Sequence, residues 1–358
     1  MGGATSFVTD LLSLVGLLLL FLMALLLYTR LSQTSNPLTS LINNFSQATG
    51  SGQSNLSSQL VTTSIEQTST QSNQSLDLYV LSLINSDRQQ YGLQNVSLSN
   101  ESSAQQHAQS MLVYDYFSHW DVYGMKPYMR YTLLGGAGAV SENVAYRYSS
   151  SCTLLGCTGN INVRSALQQM EHDMMYNDSA CCNNGHRDNI LDPNHNQVSI
   201  GVAYNSSTAY LTEDFIDNYT AWSNFGFSNS TDEMYLEGTL QYGASLSSVI
   251  VSFDAPVANM SRVQLDNTSS YGYGKQIAGV VRSPFYAYTG LSTIVADRYD
   301  ANARQFDVAF NMRNTMSNYG PGEYTMLVWF NDTRGSFVGS TYTIFVGSDD
   351  KAYVPGNV

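Results

Sequence analysis

The chain has few positive charges. Its 358 residues include 15 Lys and Arg against 28 Asp and Glu, which gives a formal net charge of -13. The basic residues are scattered between Arg30 and Lys351 without forming a cluster. Because binding to a phosphate backbone requires a basic face, this distribution argues against nucleic acid as a partner. The acidic balance instead favours solubility and mutual repulsion at a surface.

The apolar run Phe7–Tyr28 is also almost free of charge. Asp10 lies near its start, and residues 11–28 contain no charged side chain. The usual features of a cleaved signal peptide are missing too. No Lys or Arg precedes the run, and no small-residue cleavage site comes after it. About 20 apolar residues are enough to span a bilayer as a helix. The sequence therefore predicts an uncleaved, single-pass transmembrane helix over residues 7–28.

Two signals disagree about which side of the membrane carries the rest of the chain. Arg30 lies directly after the predicted helix, and the positive-inside rule taken alone would place the C-terminal side in the cytoplasm. Glycosylation sequons, spread over every segment after the helix, favour an extracellular glycoprotein at the cell membrane. The sequon asparagines are Asn44, Asn55, Asn73, Asn95, Asn100, Asn177, Asn205, Asn218, Asn229, Asn259, Asn267 and Asn331.

The four cysteines are Cys152, Cys157, Cys181 and Cys182. The C-x2-C spacing typical of zinc sites is absent, and an adjacent pair is a poor chelate. An even number in a non-cytosolic chain instead favours two disulfides. Three pairings are conceivable. Because a bond between neighbours is strained, we expect Cys181 and Cys182 each to pair with Cys152 or Cys157.

Residues 29–75 are polar, almost uncharged and nearly free of aromatic side chains. Such a segment cannot bury enough apolar surface to offset the entropy of ordering. It is therefore predicted to be a Ser/Thr/Asn/Gln-rich linker that holds the next domain away from the membrane.

Residues 76–218 change in character and predict a domain that mixes helices and strands. Helical spacing indicates one helix from Leu76 to about Gly92 and two more within residues 100–116 and 162–178. Alternating residues on both sides of a polar turn predict a hairpin over residues 197–217.

After about Trp222 no convincing helical period is present. Short alternating runs are separated by turn residues, a pattern that predicts an all-β, immunoglobulin-like sandwich of roughly seven strands over residues 222–347. Tyr324 is interpreted either as the corner tyrosine of such a fold or as an ordinary buried tyrosine.

Four stretches of the middle domain occur in one order: "LINSDRQQYGL", "YDYFSHWDVYGMKPYMRYTLLG", "SENVAY" and "NNGHRDNILDPNHNQVSIGVAY". This set resembles the CAP superfamily, also called SCP or PR-1-like, in its prokaryotic branch. The resemblance covers about residues 76–216 and implies an α-β-α sandwich with an open cleft, which makes the chain α+β as a whole. Three features depart from the family: Ser141 replaces the usual Gly, Tyr176 replaces the usual Trp, and the "ACCNN" loop is longer.

The resemblance also implies which residues line the cleft. His119, Glu142 and His186 occupy the family's motif positions, and Glu171 is the candidate for a second acid, with Asp173 and Asp178 in the same region. Two neutral imidazoles and a carboxylate could ligate zinc or another divalent cation. In the alternative interpretation the cluster is structural, with both histidines hydrogen-bonded to Glu142. The remaining histidines of this domain, His107, His172 and His195, are interpreted as surface or packing residues.

No Ser or free Cys of the cleft lies in a recognisable nucleophile motif. We therefore expect the cleft to bind a ligand, which could be a surface lipid, glycan, peptide or divalent metal ion. Two alternatives stay open because the fold does not select one. The first is a metal-dependent hydrolase or peptidase of the cell envelope, and the second is a structural adhesion or envelope protein that makes only protein contacts. Low Lys with abundant Ser, Thr, Asn and Tyr is similar to the composition of archaeal surface proteins.

The topology predicts the outcome of protease treatment of intact cells. Since everything after residue 28 is expected outside, the protease should remove both folded domains, as judged by immunoblotting with antibodies to each. Full protection of both domains would reverse the predicted orientation.

Overall fold

The computed structural model describes residues 70–154, 156–268, 270–283, 290–349 and 351–354, all within one compact unit, Ser58–Val358. The predicted membrane helix 7–28 and most of the linker 29–75 lie outside these residues, so both stay predictions. In the described part of the chain, no helix combines the length and apolarity needed to cross a bilayer.

The helices are α1 Thr70–Gln90, α2 Ser103–Tyr114, α3 Pro127–Leu133, α4 Val163–Tyr176, α5 Ser179–Cys182, α6 Gly185–Ile190, α7 Arg262–Leu265 and α8 Arg313–Tyr319. The first six strands are β1 Ser97–Leu98, β2 Ala139–Tyr148, β3 Ser150–Thr153, β4 Gly156–Gly159, β5 Gln197–Tyr204 and β6 Thr208–Asp217. The others are β7 Thr220–Ser228, β8 Glu233–Leu240, β9 Ser245–Asp254, β10 Lys275–Val281, β11 Ser292–Val295, β12 Arg298–Ala301, β13 Gln305–Asn311, β14 Gly322–Asp332, β15 Gly335–Val346 and β16 Ala352–Tyr353.

The first half of the unit is built on a four-stranded sheet of order β1-β5-β6-β2. Successive side chains of a strand point to opposite faces, and β5 shows what each face contacts. Val198, Ile200 and Val202 pack in the core shared with α1 and α4, while Gly201 meets the backbone of α2. The sheet therefore lies between helices on both faces, in the α-β-α layering implied by the resemblance. The three long helices and the 197–217 hairpin appear where the periodicity predicted them.

The second half consists of two sheets, one of six strands in the order β11-β10-β9-β14-β15-β16 and one of four in the order β12-β13-β8-β7. A single apolar core contains residues of both sheets, for example Leu236 and Val308 of the smaller and Val251, Val328 and Ile344 of the larger. The region is therefore β-rich, as predicted, but it has more strands than the roughly seven expected, and β10 and β11 run parallel. The assignment to the immunoglobulin type stays a prediction.

Two short helices correct the expectation of no helix after Trp222. The helix α8 has only seven residues, which is too short to display a 3.6-residue period. The helix α7 has a capping box, in which the side chains of Ser261 and Gln264 bond each other's backbone N–H groups. The Ser-x-x-Gln pattern in the sequence indicates the start of a helix, so α7 could have been predicted from it.

Tyr324 occupies the corner position considered for it. Its side chain is fully buried, and its hydroxyl donates to the carbonyl oxygen of Gly320 at 2.5 Å, four residues upstream. This backward bond to the chain is the defining contact of a tyrosine corner.

The two halves are joined by polar contacts. The Lys126 ammonium lies 2.6 Å from a carboxylate oxygen of Asp254, and the Tyr128 hydroxyl donates to the other oxygen at 2.7 Å. The backbone N–H of Thr341 in β15 donates to the carbonyl of Gly138, just before β2, at 3.1 Å. The β-rich half is thus fixed against the first half at several independent points.

The disulfide pairing differs from the prediction. The structure pairs Cys152 with Cys157 and Cys181 with Cys182, so the expected bonds from the adjacent pair to the 152–157 loop are wrong. The reason lies in the β3–β4 hairpin, whose register places residues 152 and 157 directly opposite each other. Each of these cysteines therefore meets its hairpin partner, at a Cα–Cα distance of 4.0 Å.

The sequon asparagines are at the surface. Those with described side chains are all exposed except Asn218, which is partly buried. Asn44, Asn55 and the side chain of Asn73 lie outside the described residues. Glycosylation itself stays a prediction, which this exposure supports.

The close approach of α2 to β5 predicts a sharp sensitivity at Gly201. A Cβ at this position would lie 2.2 Å from the carbonyl oxygen of Ala104, whereas a Cβ at Gly185 would have nothing within 4 Å. Gly201→Ala should therefore lower the free energy of unfolding by about 1–3 kcal/mol through overpacking. The matched control Gly185→Ala should leave it unchanged or raise it by up to about 1 kcal/mol, because Gly185 lies in a helix with open space around it. Urea denaturation of the full chain in detergent measures both, and equal losses would contradict the packing described.

Candidate functional site

One cavity of about 540 Å³ lies at the surface of the α-β-α half. It is lined by the segment before α3, by strand β2, by α5 and α6, and by residues 270–273 of the β-rich half. Three of the predicted site residues, His119, Glu142 and His186, line this one cavity. Their role in binding stays a prediction, but the structure brings them together.

His119 is held by Glu142. Its Nδ1 lies 2.9 Å from Oε1 of Glu142, a residue of β2 that is almost fully buried. The other carboxylate oxygen accepts from Arg130 of α3 at 2.6 Å. Arg130 also donates to the carbonyl oxygens of His119 and Met125, at 2.8 and 2.9 Å. The guanidinium therefore neutralises the buried carboxylate and positions the segment that carries His119.

Burial sets the protonation of this pair. It raises the pKa of Glu142 to about 7, although the Arg130 charge acts in the opposite direction. Burial, together with the Arg130 charge, lowers the pKa of His119 to about 4. His119 is consequently a neutral imidazole at pH 7. Where Glu142 is ionised and pairs with Arg130, its oxygens can only accept, so Nδ1 of the neutral His119 donates to it and the Nε2 lone pair is left for a ligand.

His186 has an equivalent arrangement with a different acid. Its Nδ1 lies 2.7 Å from Oδ1 of Asp178, a buried carboxylate. Oδ2 of Asp178 accepts the backbone N–H groups of His186 and Arg187, at 2.8 and 3.2 Å, at the start of α6. Both imidazoles of the cavity therefore have Nδ1 held by a carboxylate, and Nε2 is the nitrogen left over. Asp178 is therefore the acid that orients the second histidine. The resemblance had favoured Glu171 for this role and named Asp178 only as a neighbour in the same region.

Glu171 corrects the prediction, because it does not line the cavity. It lies on the buried face of α4 with Met170 and Met174, and the phase of that helix turns it toward the sheet. Burial and the adjacent charge of Glu213 raise its pKa well above the usual value. Glu213 in turn lies 3.4 Å from the side-chain amide of Asn143, a cavity residue. Glu171 is thus two contacts away from the cavity.

The remaining histidines are packing or surface residues, as interpreted. His107 is buried, with Nε2 2.8 Å from the carbonyl oxygen of Ser118. His195 is buried between Asp217 and Asn189, at 2.7 and 2.9 Å. His172 is exposed.

Sequence reasoning missed the contribution of the β-rich half. The hydroxyl of Tyr271 accepts the backbone N–H of Glu142 at 2.7 Å, and its ring lies 4.9 Å from that of His119. The cause is the position of β2 at the edge of its sheet, where an N–H has no neighbouring strand. No motif could have revealed Tyr271, because it lies 129 residues after Glu142 in another part of the chain.

The predicted metal set does not form a compact group. In the described part of the chain, one cluster has His, Cys, Asp and Glu ligand atoms all within 4.8 Å of one another: Asp178, Cys181, Cys182 and His186. His119 and Glu142 are not members, and both oxygens of Glu142 already accept hydrogen bonds. Zinc ligation by His119, Glu142 and His186 therefore stays a prediction that would require these contacts to be exchanged for the metal.

The buried acids predict how stability depends on pH. Burial raises the pKa values of Asp214 and Glu323 to about 8, of Glu142 to about 7 and of Glu171 well above its usual range. Between about pH 4 and pH 8 the folded chain thus holds protons that the unfolded chain releases, and its stability should rise as the pH falls. His107 and His119, whose pKa values are lowered, act in the opposite sense but are fewer. We expect a higher melting temperature at about pH 5 than at about pH 8.

A matched pair of variants tests the cause. Glu171→Gln puts a neutral amide where a proton must otherwise be held, so it should flatten the melting temperature profile. Asp188→Asn, at an exposed position, should leave the profile unchanged. A profile that rises with pH, or the same slope in both variants, would contradict the assignment.

Comparison with known proteins agrees with the geometry. Residues 81–220 match a sequence model described as "CAP: Cysteine-rich secretory protein family". No curated protein is significantly similar to the chain. A solved structure of an extracellular protein containing an SCP domain, from Bacillus anthracis str. Ames, is 19% identical with a TM-score of 0.30. That match covers 40% of this chain and 41% of the other chain. The segment that carries His119, Glu142 and His186, residues 81–220, is a CAP domain.

Proposed function

We propose that this protein is a membrane-anchored cell-surface glycoprotein whose CAP domain binds a glycan in the cavity between His119 and His186. One observation carries the proposal: both imidazoles line the same cavity, and each has Nδ1 held by a buried carboxylate. Two oriented Nε2 atoms in one cleft are suited to hydrogen-bonding the hydroxyl groups of a polar ligand.

The rest of the lining supports a sugar over a lipid. Among the lining residues that the structure describes, Val140 is the one aliphatic side chain, whereas the carboxylate of Asp188 is exposed at the cavity. Tyr271 and Tyr273 add partly exposed aromatic rings from the β-rich half. Tyrosines offer an apolar ring together with a polar hydroxyl, which suits the mixed surface of a carbohydrate. A lipid-binding pocket would instead be lined mainly by apolar side chains.

The anchor and linker fit a display role. A helix over residues 7–28 would tether the chain, and the polar linker 29–75 would hold the cleft away from the bilayer. The exposed sequon asparagines suit an external, glycosylated surface. The sequence places few basic residues near the predicted helix, so the orientation is proposed mainly from the sequons.

A metal-dependent hydrolase is the second candidate, and one observation favours it. A carboxylate on Nδ1 is the usual way of orienting an imidazole whose other nitrogen binds a metal, and the cavity has two such pairs. A hydrolase built on this cleft would have to use a metal-bound water, because no activated nucleophile is among the motifs. A purely structural role would leave both Nε2 atoms without a ligand.

Binding to a glycan array by the full chain in detergent tests the proposal. The double variant His119→Ala, His186→Ala should weaken binding of the best glycan at least tenfold, or about 1.4 kcal/mol, since both imidazole contacts are lost. His172→Ala, an exposed histidine outside the cavity, is the matched control and should bind normally.

The outcomes separate the three functions. Unchanged glycan binding by the double variant would show that the cavity is not the site. Zinc-dependent release of product from the glycan or from a peptide library, lost in His186→Ala at unchanged melting temperature, would favour the hydrolase. Absence of any ligand, with a lower melting temperature in the double variant, would favour the structural role.

A further inference from the structure

The adjacent disulfide Cys181–Cys182 lies at the cavity wall beside His186. It belongs to the short helix α5 in the lengthened "ACCNN" loop, and Cys181 is exposed. Neither sulfur has a role in the glycan-binding cleft described above. Exposed disulfides have higher reduction potentials than buried structural ones and are the labile members of a protein.

Asp178 connects this disulfide to the imidazole. Its Oδ1 lies 2.7 Å from Nδ1 of His186 and 3.5 Å from Sγ of Cys181. Ligand atoms of Asp178, Cys181, Cys182 and His186 all lie within 4.8 Å of one another. A tetrahedral zinc site with Zn–S of about 2.3 Å and Zn–N of about 2.0 Å needs separations of roughly 3–4 Å. Forming the site therefore requires the outer ligand atoms to approach by about one ångström and the two sulfurs, which are about 2 Å apart while bonded, to separate by one to two ångströms after reduction.

We propose that reduction of Cys181–Cys182 converts this cluster into a zinc site with two thiolates, one imidazole and one carboxylate. A dithiol reductant supplies two electrons: the S–S bond breaks, two thiols form, and the reductant becomes a cyclic disulfide. Zinc then displaces both thiol protons to solvent, and the Zn–S bonds form. An adjacent cysteine pair is a poor chelate by itself, but here Asp178 and His186 lie beside it and complete a set of two sulfurs, one nitrogen and one oxygen, which suits zinc.

Zinc binding at this site would change the orientation of His186 in the cavity. In the oxidised chain, Nδ1 of His186 donates to Asp178, which fixes the ring and leaves Nε2 for the cavity. Ligation of Asp178 and His186 by zinc replaces that hydrogen bond with two metal bonds. The orientation of one of the two cavity imidazoles thus depends on the redox state of the neighbouring disulfide.

Cobalt titration of the full chain in detergent tests the site. After reduction with a dithiol, which is then removed without air, one Co²⁺ per chain should bind with a thiolate-to-cobalt charge-transfer band. The oxidised chain should show no band. Cys181→Ser, Cys182→Ser should abolish the band, while Cys152→Ser, Cys157→Ser, which removes the thiols of the hairpin disulfide, should retain it. A band that persists without Cys181 and Cys182, or none in the reduced parent, overturns the proposal.

Alkylation followed by mass spectrometry gives a second measurement that needs no variant. In the reduced chain, Zn²⁺ should slow alkylation of Cys181 and Cys182 at least tenfold and leave Cys152 and Cys157 unaffected. Equal rates at all four cysteines would contradict the site. His119→Ala separates this proposal from the glycan-binding function, because it should weaken glycan binding and leave the cobalt band intact.

Discussion

The ion pair between Arg130 and Glu142 is the interaction on which the site depends. Glu142 is a buried carboxylate on a sheet strand, and without a cation it would be costly to hold there in its charged form. The same guanidinium bonds the carbonyl oxygens of His119 and Met125, so one side chain both neutralises the acid and shapes the segment beside it. The orientation of His119, the accessibility of its Nε2 and the hydrogen bond to Tyr271 all depend on where this carboxylate is fixed.

A second carboxylate, Asp178, has the corresponding role for His186, but it is stabilised differently. Backbone N–H groups at the start of α6 replace the guanidinium as its donors. The cavity is therefore built from two His–carboxylate pairs with unequal environments. One pair is supported by a buried cation, and the other lies in a surface loop beside two cysteines. The cysteines that the proposed redox switch requires therefore lie beside His186 and not beside His119.

Much of the first half could be predicted from the sequence, because its information is local. The helical periodicity predicted α1, α2 and α4 at their observed places. The ordered motifs predicted that His119, Glu142 and His186 line one cavity, as they do. Glu171 was misplaced because a motif gives a position along a helix, whereas the phase of α4 decides which face that position occupies. The cysteine pairing was misjudged because strain between neighbours was weighed without the β3–β4 register, which places Cys152 opposite Cys157. Arg130 was missed although it lies in a quoted motif only 11 residues after His119, because a motif does not show which side chains turn inward together. Tyr271 was missed because contacts between distant segments leave no local pattern.

The position of β2 at the edge of its sheet has a consequence for the history of the chain. Such an edge exposes unpaired backbone groups that invite association with other chains. Here the Glu142 N–H is capped by Tyr271, and the Gly138 carbonyl just before the strand is bonded by Thr341, both from the β-rich half. That half therefore covers part of this edge. Recombination that separated the two would uncover this edge, so the pair is expected to be inherited together as one module.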